Sequence, residues 1–300
     1  MPSAERGMKL NAATSVKQER DIREVHSAGY YIGRIVVGVL LVLFAILCVL
    51  PFLWMLSASL KLNSDVFQYP VKWIPQPVRW KNYLLIWKEI PLLTFFYNTF
   101  KLSIIITFLQ VLTSSIAAYA FAKLRFPGRN LLFMIYLATI SIPWQVYMIP
   151  QYIMMTDWHL TNTHLSIILL QTFTAFGVFL MRQAYLGVPT ELMEAARIDG
   201  LNEYGIWARI MVPLIKPTIA TLTIFTFVNT WNDYMGPLIY FTDTRLKTIQ
   251  LGIRMFIQQY AADYNLLMAA AVCSLIPVII LFLALQDFFI EGIANTGLKG

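Results

Sequence analysis

Charged residues are scarce in this 300-residue chain, and their scarcity excludes most soluble proteins. Only 13% of the residues are Asp, Glu, Lys or Arg, whereas 58% are hydrophobic. Soluble domains carry about 25% charged residues, and disordered chains have low hydrophobicity. The mean hydropathy of +0.62 therefore indicates that lipid, rather than water, surrounds most of the chain.

The residues that catalysis and metal binding commonly use are also few, with two cysteines and three histidines. Cys48 and Cys273 lie in separate apolar runs, and no CxxC or HExxH motif is present, so we predict neither a zinc site nor a disulfide framework. Gly200 and Gly205 have the spacing of a phosphate loop, but the lysine that grips phosphate is missing. We expect no catalytic residue, no metal site and no enzyme activity in this chain.

What the sequence does contain is a series of uncharged runs. A helix that crosses about 30 Å of hydrocarbon needs about 20 apolar residues. Six stretches meet this requirement, with the fifth interrupted by Asn229, Asn232 and Asp233; they are 35–60, 102–122, 131–156, 165–181, 217–241 and 264–286. The sequence predicts an all-α polytopic membrane protein with six transmembrane helices. Small residues in the second run indicate close helix packing there.

The basic residues between the runs predict the orientation of the chain. Lys and Arg cluster in the loops 123–130 and 182–216, which the positive-inside rule places in the cytoplasm. Both termini are then cytoplasmic, and the net charge of +7 reflects membrane orientation rather than nucleic-acid binding. The expected segments are a cytoplasmic arm at 1–34, an anchor at 35–60, an extracytoplasmic loop at 61–101, a core at 102–290 that includes the cytoplasmic loop 183–216, and a cytoplasmic tail at 291–300.

The expected external loop 61–101 is rich in aromatic residues, among them Trp73, Trp80 and Trp87. Aromatic rings favour the headgroup level of a membrane, so an interfacial segment is one interpretation. A docking surface for an external partner is the other.

The cytoplasmic loop contains a well-delimited short helix. Thr190 is a candidate N-cap, and Gly200 is a candidate C′ residue. Helical spacing places four residues on one face, where adjacent alanines would let another protein approach closely; they are Leu192, Ala195, Ala196 and Asp199. Asn202 is expected to cap a second helix. A solvated connector between two spans is the simpler alternative.

The same loop resembles the EAA loop of type I ATP-binding-cassette (ABC) importer permeases. The resemblance lies in Glu194-Ala195-Ala196, Asp199-Gly200, Ile210, Val212-Pro213 and Pro217. It departs from the usual pattern at Trp207, where Phe is usual, and at Val212, where Leu is usual. Further segments, including 118–122, 126–129, 175–183 and 231–238, are similar to the carbohydrate-uptake branch, and the resemblance covers roughly residues 35–300.

The resemblance implies the type I ABC importer permease fold and a multi-subunit transporter in a bacterial cell membrane. The implied partners are a second homologous permease subunit forming a heterodimer, two ATPase subunits and an extracytoplasmic solute-binding protein. ATP and Mg would bind the ATPase subunits, and this chain would bind no cofactor. The implied ATPase-coupling residues are Glu194, Ala195, Ala196, Asp199 and Gly200. The implied cargo is an oligosaccharide, a disaccharide, or a related polyol or sugar phosphate.

Polar and aromatic residues inside the runs are candidates for the substrate pathway, because polar groups in lipid usually face a cavity or a partner. The candidates are Asn229, Trp231, Asn232, Asp233, Tyr234, Trp144, Gln145 and Tyr147. Helix–helix hydrogen bonding, or a cap at a helix break before Pro237, would also explain the polar cluster. An ion-coupled secondary transporter is the alternative function, with Asp233 as its one candidate intramembrane acid.

Overall fold

The computed structural model describes residues 28–257 and 262–297, and these residues form helices and no β-strand. Residues 1–27 of the expected arm lie outside the described residues. The helices are α1 Ala28–Ser59, α2 Asn82–Glu89, α3 Leu92–Lys123, α4 Arg129–Ala138, α5 Trp144–Asp157, α6 His164–Gln171, α7 Ala175–Leu186, α8 Glu191–Ile198, α9 Glu203–Ile206, α10 Val212–Leu214, α11 Lys216–Trp231, α12 Met235–Tyr240, α13 Ile249–Arg254 and α14 Tyr264–Gly297.

Three of these helices are long and apolar enough to cross a membrane without a break. They contain the spans Tyr30–Ser59, Leu92–Lys123 and Tyr264–Phe288. Three further pairs reach the required length only when taken together, and each pair is bent, by 99° between α4 and α5, 41° between α6 and α7, and 82° between Glu203–Leu214 and α11. The described residues therefore provide three to six candidate spans, and the expected all-α membrane architecture is confirmed.

Two helices extend beyond the segments expected from the sequence. Helix α3 begins at Leu92, ahead of the expected second run at 102–122, and it includes Lys101, whose Nζ lies 5.7 Å from the centre of the Tyr97 ring. The expected external loop 61–101 therefore includes α2 and the first turns of α3. At the other end, α14 continues to Gly297, so residues 291–297 of the expected tail are helical.

The break expected in the fifth run lies at its polar residues. Helix α11 ends at Trp231, and α12 begins at Met235. The Oδ1 atom of Asp233 accepts a hydrogen bond from the Gly236 amide at 3.0 Å, which satisfies a free backbone donor in the first turn of α12. The carboxylate thus caps the helix after the break.

The chain divides into two compact units, residues 1–54 and 55–300. In the first unit, the described part of α1 has a mean hydropathy of 3.2 over its most apolar stretch and exposes large apolar side chains. Such a surface suits contact with lipid or with another apolar helix, because neither requires polar groups.

In the second unit, the segment that joins α1 to α2 is held by Asn82. Its side-chain amide donates to the carbonyl oxygens of Ser59 and Lys61, both at 2.8 Å. Trp80 is 67% exposed, whereas Trp87 stacks on Phe96 with ring centres 5.7 Å apart. The exposed rings are compatible both with an interfacial segment at the headgroup level and with a docking surface for an external partner.

The core of the second unit has three apolar clusters, and the largest surrounds the small residues of α3. Ser114, Ser115, Ala118 and Ala122 are buried there, as the close packing expected of the second run requires. Gly177 of α7 lies against this face, because a Cβ atom at position 177 would be 2.5 Å from Ser114 Oγ.

We expect Gly177→Leu to destabilise this helix pair. The added side chain would also meet Thr174 Cγ2 at 2.7 Å and Leu222 Cδ2 at 3.1 Å. Overpacking of this kind costs about 1–3 kcal/mol, so the melting temperature of the detergent-solubilised protein should fall by several degrees. Gly33→Leu is the helical control, because a Cβ there meets no atom of the described chain within 4 Å. Equal melting temperatures for the two variants would contradict close packing at Gly177.

Candidate functional site

Helix α8, Glu191–Ile198, is the short helix predicted in the cytoplasmic loop. Gly200 follows it with φ +85°, a left-handed conformation in which a Cβ atom is disfavoured. The Gly200 amide donates to the Arg197 carbonyl at 3.0 Å, and the Leu201 amide donates to the Ala196 carbonyl at 3.0 Å. These two bonds form a Schellman motif. The prediction that Gly200 ends this helix is confirmed.

Two details of the helix differ from the sequence prediction. Thr190 has helical backbone angles and makes no side-chain capping bond, so its prediction as a capping residue was wrong. The predicted face of paired alanines was also wrong, since Ala196 is only 3% exposed and packs with Met193 in the cluster around α3 and α7. The two alanines face different sides because the apolar Met193 and Ala196 anchor the helix to its own chain.

The outer face of α8 exposes large apolar side chains among charged ones, namely Glu191, Glu194 and Arg197. Ile198 is 87% exposed and Leu192 is 44% exposed, with Ala195 exposed beside them. In the following helix, Tyr204 is 77% exposed. Soluble loops rarely present several large apolar side chains together, and such patches commonly mark protein–protein contacts.

Helix α9 is tied to α8 and to the transmembrane helix α3 through one carboxylate. Asn202 caps α9 by accepting from the Gly205 amide at 2.8 Å, as predicted. Glu203 then accepts from Arg197 Nε at 2.9 Å through Oε1, and from the Tyr119 hydroxyl at 2.5 Å through Oε2. We call Arg197, Glu203 and Tyr119 the carboxylate link.

The carboxylate link is charged at neutral pH. Hydrogen bonds from Arg197 and then from Tyr119 lower the pKa of Glu203 below its usual value. The stabilisation is therefore present at neutral pH and is lost as the pH falls through this lowered pKa. The Arg197 and Glu203 side chains are 41% and 42% exposed, so their ion pair alone contributes about 0–1 kcal/mol.

A second set of hydrogen bonds joins the same loop to the membrane helices. Trp207 Nε1 donates to Ser115 Oγ at 3.0 Å, and Ser115 Oγ lies 2.7 Å from the Tyr185 hydroxyl. These residues belong to three segments, namely the π-helical turn Trp207–Met211, α3 and α7. The loop is thus anchored on two membrane helices by both apolar and polar contacts.

A cavity of about 550 Å³ lies away from this loop, bordered by α3, α5, α6, α7, α11 and α12. Its polar lining consists mainly of amides and hydroxyls, namely Gln110, Gln151, Gln171, Thr226, Asn229 and Thr230. Trp144, Tyr147 and Phe225 add aromatic surface. The volume falls in the usual range for small-molecule sites.

Hydrogen bonds among the lining residues hold the cavity wall. Gln171 Nε2 donates to Asp233 Oδ2 at 2.7 Å, and Gln110 Nε2 donates to the Gln171 carbonyl at 3.1 Å. Thr226 Oγ1 donates to Gln110 Oε1. By contrast, Asn229 is exposed to the cavity and its amide makes no hydrogen bond with any described residue. That amide is available to a ligand.

The structure brings four of the eight candidate pathway residues together: Trp144, Tyr147, Asn229 and Asp233 all line this cavity. The polar cluster also makes the contacts of the structural alternative. Asp233 caps α12 after the helix break, and it accepts a hydrogen bond from Gln171 of another helix.

The other four candidates lie elsewhere. Trp231 is 1% exposed, and its Nε1 donates to the Ser274 carbonyl at 3.0 Å, so its ring has no free face toward this cavity. Asn232 accepts from Gln250 Nε2 at 3.2 Å. Tyr234 lines a separate cavity of about 270 Å³, and Gln145 is exposed outside both.

The three glutamines of the cavity are not among the residues predicted from the sequence. Gln110 and Gln171 lie inside uncharged runs, which is a signal that could have identified them. Gln151 lies near the end of the third run and accepts from Trp144 Nε1 at 3.0 Å. In the described ranges, no group of three or more His, Cys, Asp or Glu is placed to hold a metal ion.

The fold and these two features define a class: a polytopic helical membrane protein with a cavity between its helices, lined by amide, hydroxyl and aromatic groups, and a structured loop that exposes apolar side chains. Residues 110–295 match the model of the family described as "Binding-protein-dependent transport system inner membrane component". The chain belongs to this family. It is a permease subunit of an ABC importer, of the carbohydrate-uptake branch, and is an inner membrane component.

Similar proteins span nearly the same length. The arabinooligosaccharides transport system permease protein AraQ of Halalkalibacterium halodurans is 35% identical over 259 residues, covering 85% of this chain and 93% of AraQ. The sn-glycerol-3-phosphate transport system permease protein UgpE of Yersinia pestis is 33% identical over 270 residues, covering 87% of this chain and 94% of UgpE. A bacterial ABC transporter involved in the import of the acidic polysaccharide alginate has a chain of 26% identity and TM-score 0.79, covering 88% of this chain and 99% of that chain.

Proposed function

We propose that this subunit forms one half of the translocation path for a carbohydrate that an extracytoplasmic binding protein delivers. Its partners would be a second homologous permease and two cytoplasmic ATPase subunits that hydrolyse ATP with Mg. Both termini and the loop 183–216 would lie in the cytoplasm. The observation that supports this most directly is the outer face of α8, which exposes Leu192, Ala195 and Ile198 and belongs to a loop anchored on α3 and α7.

Helix α8 would seat against an ATPase subunit through Glu194, Ala195, Asp199 and Gly200. Ala196 would not touch the ATPase subunit. Its methyl group would instead hold α8 in place, because it packs the helix onto the chain's own core. When ATP draws the two ATPase subunits together, α8 would move as a rigid body. Its anchors on α3 and α7 would pass that motion to the membrane helices, and the cavity would open alternately to each side.

The cavity lining is suited to sugars. Amide groups both donate and accept hydrogen bonds, as sugar hydroxyls do. The ring of Trp144 is partly exposed in the cavity, where it can contact the apolar face of a sugar. This arrangement supports carbohydrate as the cargo and favours Trp144, Tyr147, Asn229 and Asp233 over the other candidates.

The decisive experiment co-purifies this chain with its ATPase subunits and reconstitutes the complex in liposomes. We expect sugar-loaded binding protein to stimulate ATP hydrolysis. We also expect sugar uptake to require ATP on the side of the liposome membrane that the ATPase subunits face. Uptake by this chain without an ATPase subunit, driven by an ion gradient, would instead establish the secondary-transporter alternative.

We expect Asn229→Ala to weaken transport without unfolding the protein. The amide makes no bond with the described chain, so its loss removes only contacts with the cargo. One hydrogen bond contributes about 0.5–1.5 kcal/mol, which corresponds to a rise in apparent KM of roughly 2- to 10-fold. Uptake kinetics measure this, with Gln145→Ala as the control outside the cavity. Unchanged KM and rate would indicate that Asn229 has only a structural role.

A further inference from the structure

The charge of the cavity wall bears on which carbohydrates the transporter carries. Among the described residues, no Lys, Arg or His lines the cavity, and Asp233 is its one charged residue. The Asp233 carboxylate accepts hydrogen bonds from Gln171 Nε2 and from the Gly236 amide. The wall that this chain contributes therefore holds one acid and, among the described residues, no cation.

An anionic cargo would be poorly accommodated in such a cavity. A carboxylate or phosphate that leaves water must find a cation or several donors, and otherwise its desolvation is not compensated. Pathways for anions are accordingly lined with Arg or Lys. Here the cargo would instead meet the Asp233 carboxylate, and a like charge at a partly buried site disfavours binding on the order of tenfold.

An uncharged sugar finds neutral hydrogen-bonding groups on the wall that this chain contributes. The free amide of Asn229 can donate and accept, and Gln151 and Thr230 supply further groups of the same kind. The rings of Trp144 and Tyr147 can contact the apolar face of a sugar, and this contact does not require the sugar to be charged. The wall is therefore matched to hydroxyls rather than to acids.

We infer that this transporter carries uncharged saccharides and discriminates against uronates and sugar phosphates, with Asp233 as the residue that excludes them. The inference rests on the proposed carbohydrate function and narrows it. It separates this chain from two similar proteins whose names specify an acidic polysaccharide and sn-glycerol-3-phosphate.

The first test measures ATP-dependent uptake by the complete importer with its binding protein in liposomes. The neutral probes are arabinotriose, lactose and galactotriose; the anionic probes are trigalacturonate and glycerol 3-phosphate. We expect uptake of a neutral probe and background uptake of both anions. ATP-dependent uptake of an anion at or above the best neutral rate would overturn the inference while leaving the importer function in place. Uptake without ATP would contradict the importer function itself.

The second test asks whether the charge of the wall causes the preference. Binding of galactotriose and trigalacturonate to the solubilised transporter, without binding protein, is compared by saturation-transfer NMR. Asn229→Lys and Asn229→Asp form a matched pair at an exposed position without hydrogen-bond partners in the described chain. We expect the lysine to reduce the preference for the neutral sugar on the order of tenfold and the aspartate to preserve or increase it. Equal changes in both variants would overturn the inference.

Discussion

Uptake should fall to background in Ala195→Trp, although the protein remains folded in the membrane. Ala195 is exposed on the outer face of α8, so a larger side chain there disturbs no contact within the described chain. If this face seats in a cleft of an ATPase subunit, the indole prevents close approach. A well-packed interface position contributes about 2 kcal/mol or more, so ATPase binding should weaken by at least about 30-fold.

The measurement combines ATP-driven uptake in liposomes with co-purification of the ATPase subunits. Gln183→Trp is the control, because Gln183 is also exposed but lies in α7 outside the proposed contact. Melting temperatures of both variants check folding. Normal uptake by Ala195→Trp would remove α8 from the coupling contact.

Replacement of Gly200 tests the proposed ATPase contact in a second way, because it alters the backbone conformation that ends α8. Its left-handed conformation disfavours any side chain by about 1–2 kcal/mol, and β-branched residues are among the poorest fits. Gly200→Val should therefore unravel the end of α8 and impair uptake, whereas Gly200→Asn should retain most of it, because Asn tolerates this conformation. Similar uptake by the two variants would show that the Schellman motif is unimportant for coupling.

Tyr119→Phe is expected to uncouple ATP hydrolysis from uptake. The variant keeps the aromatic ring in the core and deletes only the hydroxyl that bonds Glu203. A hydrogen bond to a charged group contributes about 1.5–3 kcal/mol, far more than the exposed Arg197–Glu203 pair. Without it, α9 loses its polar attachment to α3, and motion of α8 should reach the membrane helices less effectively.

Uptake per ATP hydrolysed is the measurement, and we expect it to fall roughly tenfold or more while basal ATP hydrolysis persists. Tyr136→Phe is the matched control, since Tyr136 packs against the same cluster and its hydroxyl bonds no described residue. Because the link is ionised at neutral pH, coupling should be constant between pH 8 and 6 in the unmodified chain. An unchanged ratio of uptake to hydrolysis in Tyr119→Phe would show that the carboxylate link does not transmit motion.

In the cytoplasmic loop 183–216, local features were predictable from the sequence, whereas the buried side of α8 was not. Gly200 and Asn202 were placed correctly because their preferences are local: a left-handed C′ residue and a side-chain acceptor for a nearby amide. Helical spacing alone could not tell that Ala196 faces inward, since the side of a helix that is buried depends on which neighbours it meets. Met193 and its contacts with α3 and α7 decided that.

The membrane architecture followed from composition, because every span must satisfy its backbone in lipid and must be long and apolar. Of the breaks within spans, the one in the fifth run followed from its polar residues, whereas the bend in the third run did not. An uncharged run such as 131–156 contains no charge to mark the 99° bend between α4 and α5. Conversely, Lys101 delimits the uncharged run but not the helix, since α3 begins at Leu92 and the Lys101 Nζ lies over the Tyr97 ring.

For the cavity, too, the sequence determined the residue types, and the tertiary structure determined which residues meet. The sequence alone determined that Trp144, Asn229 and Asp233 are polar or amphipathic groups at membrane depth, since this depends only on residue type and run length. Only the tertiary structure decided that they line one cavity with Gln110 and Gln171, while Trp231 is turned away to Ser274. Helices distant in sequence meet through side-chain packing, and the rotation of each helix about its axis is settled by all its neighbours together.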